Sequence, residues 1–186
     1  MRGLVLAGLL LVVPAAAQEH RPPEASVAGW SLAALPAPSQ VAGNRTGLSA
    51  SQAAFSGILV PAGDFMLETT LAYRNLADGD VAGIALRGTN GGWISLQLEQ
   101  ITPALLLAVR QHVPGGIDAH GRLLETIAVS GWHDGTIRLW VERRGGLLRF
   151  AHAPVDGEWQ HLGGPFAGPA GEAAQLGLFA VDGAER

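Results

Sequence analysis

Cysteine is absent from all 186 residues, which excludes disulfides, thiolate metal sites, a cysteine nucleophile and a lipid anchor on cysteine. Lysine is absent as well, so arginine carries every fixed positive charge on a side chain. Twelve basic residues stand against sixteen acidic ones, a formal charge of −4 with no clustered positive face. Nucleic acid is therefore not an expected partner, because it requires such a face. No stretch beyond the first residues is apolar enough for a membrane helix, and no window sustains helical amphipathicity. Neither a Gly-x-Ser-x-Gly elbow nor a phosphate loop occurs, and the six histidines show no paired spacing of the kind that grips zinc on a helix.

What is present begins with an export signal. Arg2 supplies a positive start, residues 4–13 an apolar run, and Ala15-Ala16-Ala17 a small-residue cleavage site. Residues 1–17 read as a signal peptide, and the protein is expected to be secreted or periplasmic. Residues 18–26, polar and proline-rich at the start, read as a flexible lead-in. Residues 27–186 read as one domain, long enough and at 48% hydrophobic apolar enough to bury a core.

From Asp64 onward the chain alternates with period two. Phe65, Leu67, Thr69 and Leu71 interleave with Met66, Glu68, Thr70 and Ala72, the signature of a half-buried strand. Further strands are predicted over 81–87, 93–100, 105–112, 122–130, 136–143, 147–152, 158–162 and 175–181. Trp30 marks an earlier one. Gly, Asp, Asn and Pro punctuate the intervals, at Gly88-Thr-Asn-Gly-Gly92 for example. Segments 112–121 and 163–171 read as loops. About ten short strands with regular turn signals predict an all-β fold, an antiparallel two-sheet jelly-roll sandwich.

Alternation also sorts side chains by face. Ile84, Leu86, Ile94, Leu96, Leu98, Leu105, Leu107, Val109, Ile137, Leu139, Val141, Leu148 and Phe150 belong between the sheets. The opposite faces carry Arg87, Trp93, Gln97, Glu99, Arg110, His112, Arg138, Trp140, Glu142 and Arg149. If these strands are neighbours in one sheet, that face gathers guanidinium, carboxylate, amide and indole groups. Such groups hydrogen-bond sugar hydroxyls and stack on pyranose rings. Arg87, Trp93, Gln97, Glu99, Arg110, His112, Arg138, Trp140 and Glu142 are therefore the candidate ligand-binding set. The competing reading is a solvated face of cross-strand ion pairs. Trp159, after the Asp156-Gly157 turn, reads as core.

Catalytic and metal signals are weaker. Sandwich glucanases carry their carboxylates on one strand as Glu-x-Asp-x-x-Glu or Glu-x-Asp-x-Glu, and neither spacing occurs here. Glu99 and Glu142 would have to converge from separate strands to serve a glycosidase. His112, Asp118 and His120 share one loop and could ligate a metal with a further carboxylate. Asp78-Gly79-Asp80 could touch a structural calcium, but six or more oxygens are needed and a turn is the better reading. No cofactor is expected.

Several segments together resemble a known family. Pro61-Ala62-Gly63-Asp64-Phe65 leading into Leu67-Glu68-Thr69, then Ala82-Gly83-Ile84-Ala85-Leu86-Arg87 and Gly92-Trp93-Ile94, are similar to consecutive strands of one sandwich domain. Leu139-Trp140-Val141-Glu142-Arg143, Asp156-Gly157-Glu158-Trp159-Gln160-His161-Leu162-Gly163 and Gln175-Leu176-Gly177-Leu178-Phe179-Ala180 follow in the same order. The ordered set resembles the C-terminal concanavalin-A-like domain of family-43 glycoside hydrolases (β-xylosidases) and related stand-alone secreted bacterial sandwiches. The resemblance implies a concanavalin-A-like jelly roll, a partner propeller that holds the catalytic carboxylates, and no catalytic residue in this chain. Such domains usually close with one more strand after the segment that matches 175–180. Its apparent lack predicts an unpaired edge on the strand near Trp30 and self-association through it. The expected partners are a glycan or another exported protein.

Overall fold

The computed structural model describes residues 24–34, 40–43, 46–49, 54–60, 63–114, 121–129, 134–169 and 175–181, with side chains described from Leu59 onward. The segments 1–23, 115–120 and 130–133 lie outside the described residues. The expected signal peptide, Asp118 and His120 fall there. Thirteen strands and no helix occupy the described chain: β1 (Glu24–Ala34), β2 (Gln40–Gly43), β3 (Thr46–Ser49), β4 (Ala54–Leu59), β5 (Phe65–Arg74), β6 (Val81–Arg87), β7 (Trp93–Ile101), β8 (Ala104–His112), β9 (Arg122–Val129), β10 (Gly135–Arg144), β11 (Leu147–Ala153), β12 (Gln160–Ala167) and β13 (Gln175–Val181). From β5 onward the strands fall where alternation puts them. β12 runs further than expected and takes in the first residues of the segment read as a loop from 163. β1 begins at Glu24, inside the stretch read as lead-in.

The strands form two antiparallel sheets. One has the order β12-β11-β10-β5-β1-β2, with β3 also paired to β1; the other has the order β4-β13-β6-β7-β8-β9. They are called here the β5 sheet and the β7 sheet. This is the two-sheet jelly-roll sandwich that the sequence predicts. The expected open edge at β1 is not found. β5 pairs with one side of β1, while β2 and β3 pair in turn with the other. Both short strands lie in the Pro- and Gly-punctuated stretch, where they are too short to show a period.

The core lies between the sheets. Phe65, Leu67, Leu71, Ile137, Leu139, Val141, Leu148 and Phe150 of the β5 sheet are buried together with Ile84, Leu86, Ile94, Leu96, Leu98, Leu105, Leu107, Val109, Leu176 and Leu178 of the β7 sheet. Every residue assigned inward by alternation is buried. Two local features fix strand registers. Gly145 and Gly146 both have positive φ, 55° and 79°, which gives the two-residue hairpin between β10 and β11. Asp64 Oδ1 accepts the Gly145 N–H at 2.8 Å and ties that hairpin to the start of β5. Between β5 and β6, Asp80 Oδ2 accepts the Ala77 N–H and Asp78 Oδ1 the Thr102 N–H, both at 2.7 Å. These two carboxylates therefore organise turns.

Candidate functional site

The nine candidate residues do not share a face. Arg87 lies on β6, Trp93, Gln97 and Glu99 on β7, and Arg110 and His112 on β8, all on the outside of the β7 sheet. Arg138, Trp140 and Glu142 lie on β10, on the outside of the β5 sheet. The two groups are on opposite sides of the hydrophobic core. Alternation gives the face of each side chain correctly but does not say which strands are neighbours. Trp93 and Trp140 are both half-buried and neither is sealed in the core, yet they share no groove.

The separation also removes the carboxylate pair. Glu99 and Glu142 stand on opposite outer faces, and each is held by arginine. Glu142 Oε1 lies 2.6 Å from Arg144 Nε, and its Oε2 lies 3.3 Å from Arg149 Nη1. Glu99 accepts two bonds from Arg110, described below. No common substrate bond could be flanked by these two groups.

On the outside of the β7 sheet, successive outward residues of β7 form one hydrogen-bonded chain. Ser95 Oγ–H donates to Gln97 Oε1 at 2.7 Å, and Gln97 Nε2–H donates to Glu99 Oε1 at 2.8 Å. Arg110 then donates to both Glu99 oxygens, Nε to Oε1 at 2.6 Å and Nη2 to Oε2 at 3.0 Å. Its remaining Nη1 donates to the Gly121 carbonyl at 3.1 Å. Arg110 stands opposite Ser95, and Glu99 opposite Leu106, with Ala108 between them on β8. The small Ala108 side chain leaves a path for the guanidinium to run along the sheet. Ser95, Gln97 and Glu99 are only 0%, 5% and 4% exposed, although they face away from the core. Burying polar groups is tolerated here because each has a partner. The floor around them is built from small residues, with Gly83 opposite Gln97 and Ala85 opposite Ser95.

An aromatic pair stands at one end of this floor. Trp93 and His112 are cross-strand partners, their rings stacked with centroids 5.7 Å apart and planes 19° apart. Gly121 packs against the far edge of the indole; a Cβ there would fall 2.7 Å from Trp93 Cη2. The indole is thus wedged between His112 and the chain at Gly121. Arg87, exposed, is the cross-strand neighbour of Trp93 on the other side.

The outside of the β5 sheet is built differently. Arg138 Nη2 lies 2.7 Å from Glu68 Oε1, and its guanidinium sits 4.5 Å from the centre of the Trp159 ring. Trp140 meets His161 edge to face at 5.7 Å. Trp159 is therefore not core, as expected from its turn, but a half-buried cover on Arg138, because it precedes β12 on the outer side. This face fits the competing reading, a solvated surface of cross-strand pairs. Sequence reasoning also missed His152. It faces the interior, is buried, and neither ring nitrogen has a hydrogen-bond partner; burial lowers its pKa. The signal was available, since His152 falls in step with Leu148 and Phe150.

Among the described residues no group of three His, Asp or Glu could hold a metal ion. The loop set of His112, Asp118 and His120 falls partly outside them. No helix among the described residues is long and apolar enough to cross a membrane.

No family model matches this chain, and no curated protein matches it. Solved structures do. A GH43_12 protein retrieved from capybara gut metagenome is similar over 64% of this chain, with 19% identity and a TM-score of 0.53. The chain spans 24% of that protein's length. A functionally unknown protein from Saccharomyces cerevisiae is similar over 73% of this chain and 69% of its own, with 19% identity and a TM-score of 0.57. At this identity the likeness is one of fold. The architecture defines the class: an all-β sandwich of two antiparallel sheets, a fold shared with part of that GH43_12 protein.

Proposed function

We propose that the chain is a non-catalytic, exported carbohydrate-binding sandwich whose ligand lies across the outer face of the β7 sheet. The observation that carries this reading is the wedged Trp93–His112 stack beside a pre-ordered, nearly buried chain of polar groups. A fixed indole offers a flat apolar surface to a pyranose ring at little entropic cost. The Ser95–Gln97–Glu99–Arg110 chain holds the sheet beneath it rigid. The fold likeness to a family-43 glycoside hydrolase supports a setting among carbohydrate-active proteins, and the opening residues read as a signal peptide support export.

The binding set of this reading is Arg87, Trp93, Gln97, Glu99, Arg110 and His112. Arg138, Trp140 and Glu142 are left out, because they sit on the opposite sheet. The test is calorimetry with a panel of neutral and acidic oligosaccharides, xylan and arabinan included, alongside indole fluorescence. At least one glycan should bind. Trp93→Ala should weaken it by on the order of 1 kcal/mol or more, and Trp140→Ala should leave it unchanged. An absence of heat and of fluorescence change across the panel refutes the proposal. Capture of an exported protein in its place would point to a packing module.

A further inference from the structure

Trp93, His112 and Gly121 follow one another across the sheet. Trp93 pairs with His112, and Gln111, just before His112, pairs with Arg122, just after Gly121. The chain therefore enters β9 beside the end of β8 that carries the aromatic stack. Gly121 is buried there with a φ of 76°, in the left-handed region that glycine adopts without penalty. A Cβ on Gly121 would meet two kinds of neighbour. The Gln111 carbonyl carbon and oxygen would each lie 3.1 Å away, and Trp93 Cη2 only 2.7 Å away. The Gln111 carbonyl is backbone of a strand paired on both sides, and it cannot retreat without disturbing the pairing. The indole is a side chain and can turn. The closest contact is thus with the group that yields, so the position of Gly121 is felt by the Trp93 ring.

Gly121 is itself held by Arg110. The guanidinium directs Nε and Nη2 at the two oxygens of Glu99 and Nη1 at the Gly121 carbonyl, at 3.1 Å. Two bonds to one carboxylate set the plane of the group, and a rigid planar fork then aims its remaining donor in one direction. An ammonium on a flexible stem has no such fork. A continuous route of direct contacts therefore runs from Glu99 through Arg110 and Gly121 to the edge of the indole. Along this route Arg110 governs the aromatic platform without touching the ring that stacks on it.

Resting on the carbohydrate-binding reading, we infer that Gly121 and Arg110 are positioning residues for Trp93: they set where the indole stands, and glycan binding depends on them through it. The first measurement needs no sugar. The indole N–H resonance of Trp93 is recorded by NMR, identified by its loss in Trp93→Phe, and compared in Gly121→Ala and Arg110→Lys. Both variants, checked for folding by circular dichroism, should move the Trp93 resonance and leave that of Trp140 in place. The second measurement is calorimetry with the panel oligosaccharide that the wild type binds tightest. Each variant should lose about fivefold or more in affinity, as expected of Trp93→Ala. Combined with Trp93→Ala, neither should cause further loss, because both act through the same ring. An unmoved Trp93 resonance in a folded variant, or losses that add to that of Trp93→Ala, overturns the inference and leaves glycan binding standing. Should Gly121→Ala fail to fold, Arg110→Lys decides by the same two measurements. Failure of every sugar to bind overturns the carbohydrate reading, and the sugar-free resonance then decides whether Gly121 and Arg110 position the indole.

Discussion

Arg110 on β8 grips both carboxylate oxygens of Glu99 on β7, at 2.6 and 3.0 Å, on the outside of a sheet rather than in the core. Glu99 is almost wholly buried there and Arg110 largely so. Removing Arg110 strips the Glu99 carboxylate of its guanidinium in a poorly solvated place.

Arg110→Ala should therefore destabilise the fold by about 3 kcal/mol, measured by urea denaturation. Replacing both partners by leucine should cost less than Arg110→Ala alone, because no buried charge is left behind. A loss below about 0.5 kcal/mol in the single variant, the range typical of exposed pairs, would show that Glu99 is well solvated and the floor loosely held.

Gly83 is the second point at which the floor depends on one residue. A Cβ there would fall 2.5 Å from the Leu96 carbonyl oxygen and 2.6 Å from Gln97 Cα, both backbone atoms of β7. Since the backbone cannot swing aside, Gly83→Ala should push β6 and β7 apart at a cost of about 1–3 kcal/mol. The same change at Gly63, which has open space around it but a φ of 104°, costs through backbone strain instead and should not disturb Trp93 fluorescence. Equal fluorescence spectra for both variants would contradict the close approach.

His152 sets a pH dependence. Burial holds its folded-state pKa below the unfolded value of about 6.5. The unfolded chain therefore takes up the proton first as pH falls. The stability linked to this group is complete above about pH 6.5 and is lost as pH drops toward the folded-state pKa. Melting temperatures measured from pH 7.5 to 5 should fall more steeply for the wild type than for His152→Leu. Parallel curves would show that the imidazole is not desolvated.

The extent to which this protein can be read from its sequence follows from the range of the forces involved. Alternation is local, so the strands from Phe65 to Val181 and the inward set from Ile84 to Phe150 are legible directly. Sheet membership is not local. β5 leaves its sequence neighbours to lie between β1 and β10, and β13 inserts between β4 and β6. Nothing in the period of Ile137, Leu139 and Val141 says that Arg138, Trp140 and Glu142 will face the side opposite Arg87 and Trp93. Nor does a local pattern show that Ser95, Gln97 and Glu99 are buried, because burial on an outer face depends on groups from other parts of the chain, Arg110 of β8 among them. Trp159 escapes for a similar reason: its cover over Arg138 is a contact between β10 and the turn before β12.

The most direct test maps where a bound glycan touches the chain, by amide chemical-shift changes on titration with the tightest oligosaccharide found. The largest shifts should cluster at Arg87, Trp93 and His112 and spread to Ser95 and Gln97, while Glu68, Arg138, Trp140 and Arg149 stay put. Shifts centred on β5, β10 and β11 would place recognition on the other sheet and contradict the account.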